Sequence, residues 1–515
     1  MTNFTSGETL GELLERQAEL RPDQVFFVFE KNSGECSSYT YRRFNAYVNQ
    51  VANCLIDSGV EQGESVAIHL DNSPEVVATH LAVAKIGAVA VPINTAHTKD
   101  ECIFAIDRCG VEKVVTDWRF LDYYSSTDCK PLKLLAVTDD PKHLPEGVID
   151  FRSHVASQPN KLIEVRPIGT DDTIEILFTS GTTSSPKGVE LSHANFLFSG
   201  AFGNWEYAMR SDDCMITAMP TFHSNFQTAA LTPVLSAGAK IVLIDHYSAR
   251  RFWKQVRKHQ ATLVQLSAML VRTMMLQDVD KDERDHCVRS AQYYLNITTE
   301  EKEAFEERFG VHLHNCFGLT ESVCWSLTDP PLAPGNWPSI GRAGMGYEVE
   351  IFDEKGSIVP IGEIGEIRIH GQRGLSLMKG YYKDPEATAA ALTADDWLLT
   401  GDKGYRDAQG WFYFVDRKCN MIKRAGENIS TTEVEDVLAK HPAVAESAVI
   451  GVPDSVRDMA VKAFVSFKNN ASATERELTD YCRHYLASFK VPTIFEFVDE
   501  LPHTSVGKVE KKLLS

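Results

Sequence analysis

The sequence predicts an α/β fold in two parts. A large N-terminal domain of two helix-covered, mainly parallel sheets carries a small β-barrel-like unit, and a compact α+β domain follows it. Three observations carry this expectation. The chain has 515 residues, too many for one hydrophobic core. Through its first four hundred residues, short apolar strands alternate with helical periodicity, the rhythm of βαβ units. From about residue 338 the texture changes to short strands broken by turns, and from about 417 to a mixed pattern of about a hundred residues.

Taken in order, "SVAIHL" (65–70), the helical "EVVATHLAVAKIG" (75–87) and "AVAVPI" (88–93) form the first clear βαβ unit. "AKIVLID" (239–245), the helical "SARRFWKQVRKHQ" and then "ATLVQL" repeat it. Parallel strands of this kind place function near their ends. In "EVEIFDEKGSIVPIGEIGEIRIHG", Gly356, Gly362 and Gly365 punctuate alternating apolar residues, which suits a small antiparallel barrel-like unit over about 338–416. Beyond it come a hairpin, the helix "STTEVEDVLAKHP" (430–442), the strands "AESAVIGV" and "KAFVSF", a further helix and the basic end "GKVEKKLL". The expected division is 1–416 and 417–515.

Composition excludes several classes of function. The balance of 52 basic against 71 acidic residues, a net −19, argues against nucleic acid or an anionic membrane as the main partner. Any anionic ligand must be held by local groups. Eleven cysteines without a C-x-x-C pair suit a reducing cytoplasm better than a disulfide framework or a zinc site. The N-terminus "MTNFTSGETLGELLERQ" lacks the basic and apolar regions of a signal peptide. The longest apolar run, "LAVAKIGAVAVPI" (81–93), is too short to span a bilayer.

The stretch "TSGTTSSPKGVELSHANF" (179–196) gathers hydroxyls, small residues and one ammonium, the ingredients of a loop that wraps a polyphosphate. It is not the Walker form. Pro186 stands where that motif needs glycine, and Gly188 follows the lysine where Ser or Thr would meet Mg²⁺.

With "FGLTES" (317–322), "WLLTGD" (397–402), "DRKCNMIKRAGENIS" (416–430) and "LPHTSVGK" (501–508), this loop completes five motifs in order. Together they resemble the adenylate-forming enzymes: acyl-CoA synthetases, luciferases and peptide-synthetase adenylation domains. The resemblance covers almost the whole chain. Within that family "YLN" (294–296), "CNMIKRAGEN" and Ser184 look most like the carnitine/crotonobetaine-CoA ligases. The resemblance implies a two-step ligase: a carboxylate attacks the α-phosphorus of ATP, and the thiol of coenzyme A then displaces AMP. Both steps call for donors, cations and a metal ligand.

Carried over residue by residue, Thr179, Ser180, Gly181, Thr182, Thr183 and Lys187 would hold the β- and γ-phosphates. Thr320 would donate to the α-phosphate and Glu321 would hold Mg²⁺. Phe317, with Gly318 beside it, would stack on adenine, and a Tyr and Asn296 in "AQYYLNIT" (291–298) would replace backbone contacts that relatives make there. Asp402 and Arg417 would reach the ribose, and Lys508 would bridge the substrate carboxylate and α-phosphate. Lys423 and Gly426 lie on a hairpin of the same small domain as Lys508 yet would serve the second step, so the domain must rotate between steps. At the hinge the family usually has Asp or Lys where this chain has Cys419.

The acyl pocket implied by the resemblance is lined by Trp205, Phe222, His223 and Trp325, with Glu206 nearby; His223 would support the carboxylate. Aromatic faces beside an acid suit a quaternary ammonium, with cation–π attraction of roughly 0.5–2 kcal/mol per ring. That favours a betaine such as crotonobetaine, carnitine or γ-butyrobetaine. Short- or medium-chain fatty acids and aryl acids stay open as substrates, as do an adenylation module that loads a carrier protein and a nucleotide-binding protein without catalysis. The expected partner is a small-molecule carboxylate, the cofactors ATP, Mg²⁺ and coenzyme A, and the working form a cytoplasmic monomer or homodimer.

Overall fold

The computed structural model describes residues 7–124, 132–179, 186–294, 297–417, 421–468, 471–502, 509 and 511–514. Two large mixed sheets form its body. One has nine strands in the order Arg342–Ala343, Leu327–Thr328, Leu313–Phe317, Ser290–Tyr294, Leu263–Ser267, Cys214–Thr217, Lys240–Ile244, Val25–Glu30 and Cys36–Thr40. From Leu313–Phe317 through Val25–Glu30 its pairs are parallel. The other has eight, in the order Gly380–Tyr381, Lys187–Ser192, Thr173–Thr179, Val89–Pro92, Ser65–His69, Lys113–Asp117, Lys133–Val137 and Ile149–Asp150.

Local chemistry sets the helices around these sheets. Ser73 accepts the Val76 N–H and Pro74 opens the helix Pro74–Lys85, whose twelve residues are all buried. A mostly apolar helix buried on every side belongs in a core, its few charges paired, here Lys85 with Glu15 and Glu75 with Arg152. The helix His193–Glu206 is capped reciprocally by Ser192 and Asn195 and is nearly as buried. By contrast Ala249–Lys258 buries only Phe252, Trp253, Gln255 and Val256 and turns its basic residues outward.

The segment beyond 338 forms a four-stranded antiparallel sheet, Glu348–Phe352, Gly365–His370, Trp397–Arg406 and Phe412–Arg417. The C-terminal α+β part is a further sheet. Its path runs Glu427–Ser430, Met421–Arg424, Asp458–Phe467, Val444–Asp454, and Ile494–Phe497 adds in parallel to Asp458–Phe467. Helices Thr431–Ala439 and Glu475–Tyr485 close its own apolar core.

Two strand connections position the site. Thr173–Thr179 and Lys187–Ser192 pair antiparallel with Thr179 opposite Lys187, so the hydroxyl-rich segment between them leaves from a hairpin end. Leu313–Phe317 ends at Gly318 and passes into the turn Thr320–Ser322.

Candidate active site

Two adjoining cavities lie where these strand ends meet the C-terminal hairpin. One, of about 340 Å³, is lined by Thr179, Lys187, Thr320, Glu321, Asp402 and Lys423 among others. The second, of about 170 Å³, is walled by Phe222, His223, Thr228, Tyr294, Trp325 and the hairpin residue Gly426 among others. They share Thr179, Gly318, Leu319, Thr320, Lys423 and Asn428. A charged chamber therefore opens beside an aromatic one, with Thr320 on the threshold.

The charged chamber owes its shape to a tight chain reversal. A Cβ at Gly318 would stand 2.4 Å from the Cys324 carbonyl oxygen, so only glycine lets the two backbones approach. Val323, five residues on, sits at φ +62, a conformation that β-branched residues avoid. The Ser322 hydroxyl holds the reversal by accepting the Leu319 N–H at 3.0 Å. This geometry presents Thr320 and Glu321 together. The Tyr381 hydroxyl donates to Glu321 Oε1 at 2.8 Å, and Lys187 Nζ lies 5.1 Å above the Tyr381 ring. A carboxylate and a hydroxyl side by side are the hard oxygen donors that Mg²⁺ takes when phosphates complete its shell. Asp402, only 1% exposed, is fixed by its own N–H bonding Thr400 Oγ1 at 3.0 Å, and its backbone pairs opposite Arg417.

In the aromatic chamber the Tyr294 and Trp325 rings stack at 5.4 Å and 25°. His223 Nδ1 accepts the Asn225 N–H at 3.2 Å, which leaves the proton of the neutral ring on Nε2. Burial holds this imidazole below its ordinary value, with Glu427 opposing. Ser224 Oγ lies 3.5 Å from Thr320 Oγ1 and links the chambers.

The hairpin Met421–Arg424/Glu427–Ser430 closes the aromatic chamber. Its two turn residues, Ala425 and Gly426, both have positive φ, +52 and +96, as a two-residue turn matched to strand twist requires. A Cβ at Gly426 would stand 3.6 Å from Tyr294 Oη. Charged contacts seat this part on the body. Lys490 Nζ, in a residue 3% exposed, pairs with Glu101 at 2.6 Å and with Glu433 at 2.8 Å. Arg272 pairs with Asp458 at 2.5 Å and with Glu301 at 2.7 Å. Asn94 donates to Glu427 at 3.4 Å. Burial alone would lower Lys490, but Glu101 and Glu433 outweigh it and keep the ammonium charged. Burial works to raise both carboxyls; Lys490 wins at Glu101, which stays below its ordinary value, and burial wins at Glu433, which stays above.

Of the residues expected from sequence, the structure brings together Thr179, Lys187, Gly318, Thr320, Glu321, Asp402 and Lys423 in one chamber, and Phe222, His223, Trp325 and Gly426 in the other. Phe317 packs 6.5 Å from the Phe414 ring and lines neither. Trp205 also lines neither: it packs on Phe202 at 5.4 Å, one helical turn back. Ser180, Gly181, Thr182, Thr183, Ser184, Asn296, Cys419 and Lys508 lie outside the described residues, and Arg417 is described by its backbone alone. Sequence reasoning missed Tyr381, Ser224, Asn428 and the Lys490–Glu101 pair; a tyrosine of "AQYYLNIT" is expected at adenine, and Tyr294 lines the aromatic chamber. "KGYYKDPEAT" around Tyr381 offered a polar aromatic as a signal; the ion pair, 389 residues apart in the chain, offered none.

Residues 14–382 match the family model described as AMP-binding enzyme, and residues 433–508 match AMP-binding enzyme C-terminal domain. The crotonobetaine/carnitine–CoA ligase of Citrobacter koseri is 42% identical over 515 residues, covering 99% of this chain and 100% of that protein. Among solved structures, a double mutant of the Bacillus subtilis o-succinylbenzoate CoA synthetase bound with its product analogue OSB-NCoA superposes with TM-score 0.85 at 26% identity, covering 99% of this chain and 98% of the other. The same synthetase in complex with AMP, at the same identity and coverage, superposes with TM-score 0.70.

Proposed function

The chain belongs to the AMP-binding enzyme family, and we propose that it is an ATP-dependent acid–CoA ligase whose substrate is a betaine such as crotonobetaine, carnitine or γ-butyrobetaine. The observation that carries the reaction is the pairing of the two chambers: nucleotide-binding chemistry in one, and a hairpin turn with Gly426 over the other. Full-length similarity to a crotonobetaine/carnitine–CoA ligase supports the substrate.

In the first half-reaction a carboxylate oxygen attacks the α-phosphorus of ATP, and the bond to the leaving pyrophosphate breaks. Thr320 donates to the α-phosphate, Lys187 neutralises the departing phosphates and Asp402 accepts from the ribose hydroxyls. Thr320 and Glu321 would hold Mg²⁺, which supplies charge neutralisation at phosphate oxygens. Lys508 approaches for this step alone. In the second the CoA sulfur attacks the acyl carbon and AMP leaves. Gly426, lacking a side chain, leaves room beside Tyr294 for the pantetheine arm, and His223 Nε2 donates to the acyl oxygen.

The described arrangement is the one for thioester formation. The higher TM-score against the CoA-analogue complex than against the AMP complex of the same synthetase supports this. Residues 417–515 then act as a mobile domain on a 1–416 body, turning near Cys419. A reaction fed by ATP and CoA belongs in the cytoplasm, and no helix among the described residues is long and apolar enough to cross a membrane.

A panel of acids assayed for pyrophosphate release, with and without CoA, tests the reading. Betaine-dependent pyrophosphate release and CoA-dependent thioester are expected. Acyl-AMP without thioester would indicate a carrier-loading module, and preference for butyrate or crotonate over every betaine would refute the substrate.

A further inference from the structure

Behind the aromatic chamber lies a buried carboxylate that the two half-reactions do not use. Glu206 ends the helix His193–Glu206 and is 8% exposed. Its Oε1 accepts from Thr328 Oγ1 at 2.7 Å, and the Gln292 side chain also bonds it. Gln292 faces the other way with its oxygen, which accepts Trp325 Nε1–H at 3.1 Å and the Tyr207 hydroxyl. Two donors on that oxygen fix the amide, so its NH₂ points at Glu206. The chain of bonds thus runs from the chamber wall, Trp325, through Gln292 to a carboxylate.

The position is unfavourable for a negative charge. The end of a helix already carries partial negative charge, and burial removes water. The ionisable groups around Glu206 are Tyr207, Tyr347, Cys316 and Cys324, all raised by burial and neutral at pH 7. Arg289, far along the chain, reaches the Tyr207 and Ala208 carbonyls just beyond Glu206 but is spent on them and on Asp213. Among the described residues no cation pairs with Glu206.

We propose that Glu206 is the counter-charge for the cationic head group of the acid, acting on it through Gln292 and the Trp325 indole. This rests on the betaine reading above. A carboxylate at the far end of the hydrogen-bonded chain draws the indole N–H proton outward and leaves the ring face electron-rich, which strengthens its attraction for a quaternary ammonium held against it. Glu206 is a positioning residue: it touches no substrate. In the free protein burial pushes it to about 7, so a bound cation also favours its ionised form.

The test compares γ-butyrobetaine with its neutral isostere, in which a tert-butyl group replaces trimethylammonium. Glu206→Gln keeps the shape and removes the charge. The ratio of kcat/KM for the cation over the isostere should fall about tenfold, mostly through KM. The unaltered enzyme gives an independent reading should the variant fold poorly. Between about pH 8 and about pH 6 neither acid titrates, so the ratio should fall on acidification as Glu206 takes a proton. A wild type that prefers the cation, with a ratio unmoved by both Glu206→Gln and pH, overturns the inference and leaves the substrate reading standing. A wild type that does not prefer the cation defeats both.

Discussion

Two regions meet the body of this protein in opposite ways. The helix Pro74–Lys85 lies in the interior with all twelve residues buried, eight of them apolar, and with Glu75 and Lys85 paired to Arg152 and Glu15 at its ends. The C-terminal hairpin and its sheet lie against the same body, yet the named contacts there are Lys490 with Glu101, Arg272 with Asp458, and Asn94 with Glu427. Apolar burial at about 25 cal/mol per Å² is lost whole when such a surface opens. Ion pairs exchange their partners for water, so the net difference between closed and open is small. A helix is thus anchored for good, and a domain is seated in a way that can be undone. The charges specify the seat without making it permanent.

The sharpest way to break the comparison is to remove each face that the small domain presents. Lys508→Ala should slow ATP-dependent acyl-AMP formation by about 100- to 1000-fold, because the cation proposed to stabilise the transition state is lost. Conversion of supplied acyl-AMP and CoA to thioester should continue; equal loss in both assays would remove the two-state assignment. Gly426→Leu should do the reverse. A branched side chain at φ +96, starting 3.6 Å from Tyr294 Oη, should cut thioester formation by about 100-fold and leave acid-dependent pyrophosphate release nearly intact.

Weaker effects sharpen it. Lys490→Met leaves Glu101 and Glu433 facing each other in a buried site, which penalises the seated arrangement alone. Glu433, already raised by burial, takes up a proton and blunts the loss. Thioester formation should fall about tenfold, with pyrophosphate release unchanged in single turnover. Arg272→Ala removes a less buried pair and should cost only about threefold in the same step.

Much of this was legible in the sequence, for reasons that differ by residue. The βαβ unit over 65–93 was readable because short apolar strands flank a stretch of helical periodicity there. Lys187, Thr320, Glu321 and Asp402 could be singled out because the proposed phosphate, ribose and metal chemistry restricts both residue type and order, and the structure gathers all four into one chamber. The family resemblance places Trp205 in the acyl pocket, yet it stands three residues after Phe202 on one helix and packs on that ring. Helical spacing favoured that contact. Glu206, one position on, faces Thr328 instead. What no local pattern carries is long-range pairing: the stack of Tyr294 on Trp325, and Lys490 with Glu101, exist only once the sheets have closed.

The most direct test fixes the small domain where it sits. With Cys36 and Cys287, the exposed cysteines among the described residues, and also Cys129 and Cys419 first replaced by serine, Arg272→Cys and Asp458→Cys place one thiol on each side of the junction, to be bridged by a short reducible cross-linker. Bridged enzyme should convert supplied acyl-AMP and CoA to thioester, release no pyrophosphate from acid and ATP, and regain that release on reduction. Pyrophosphate release at the unbridged rate while the bridge is intact would show that no rotation separates the two steps.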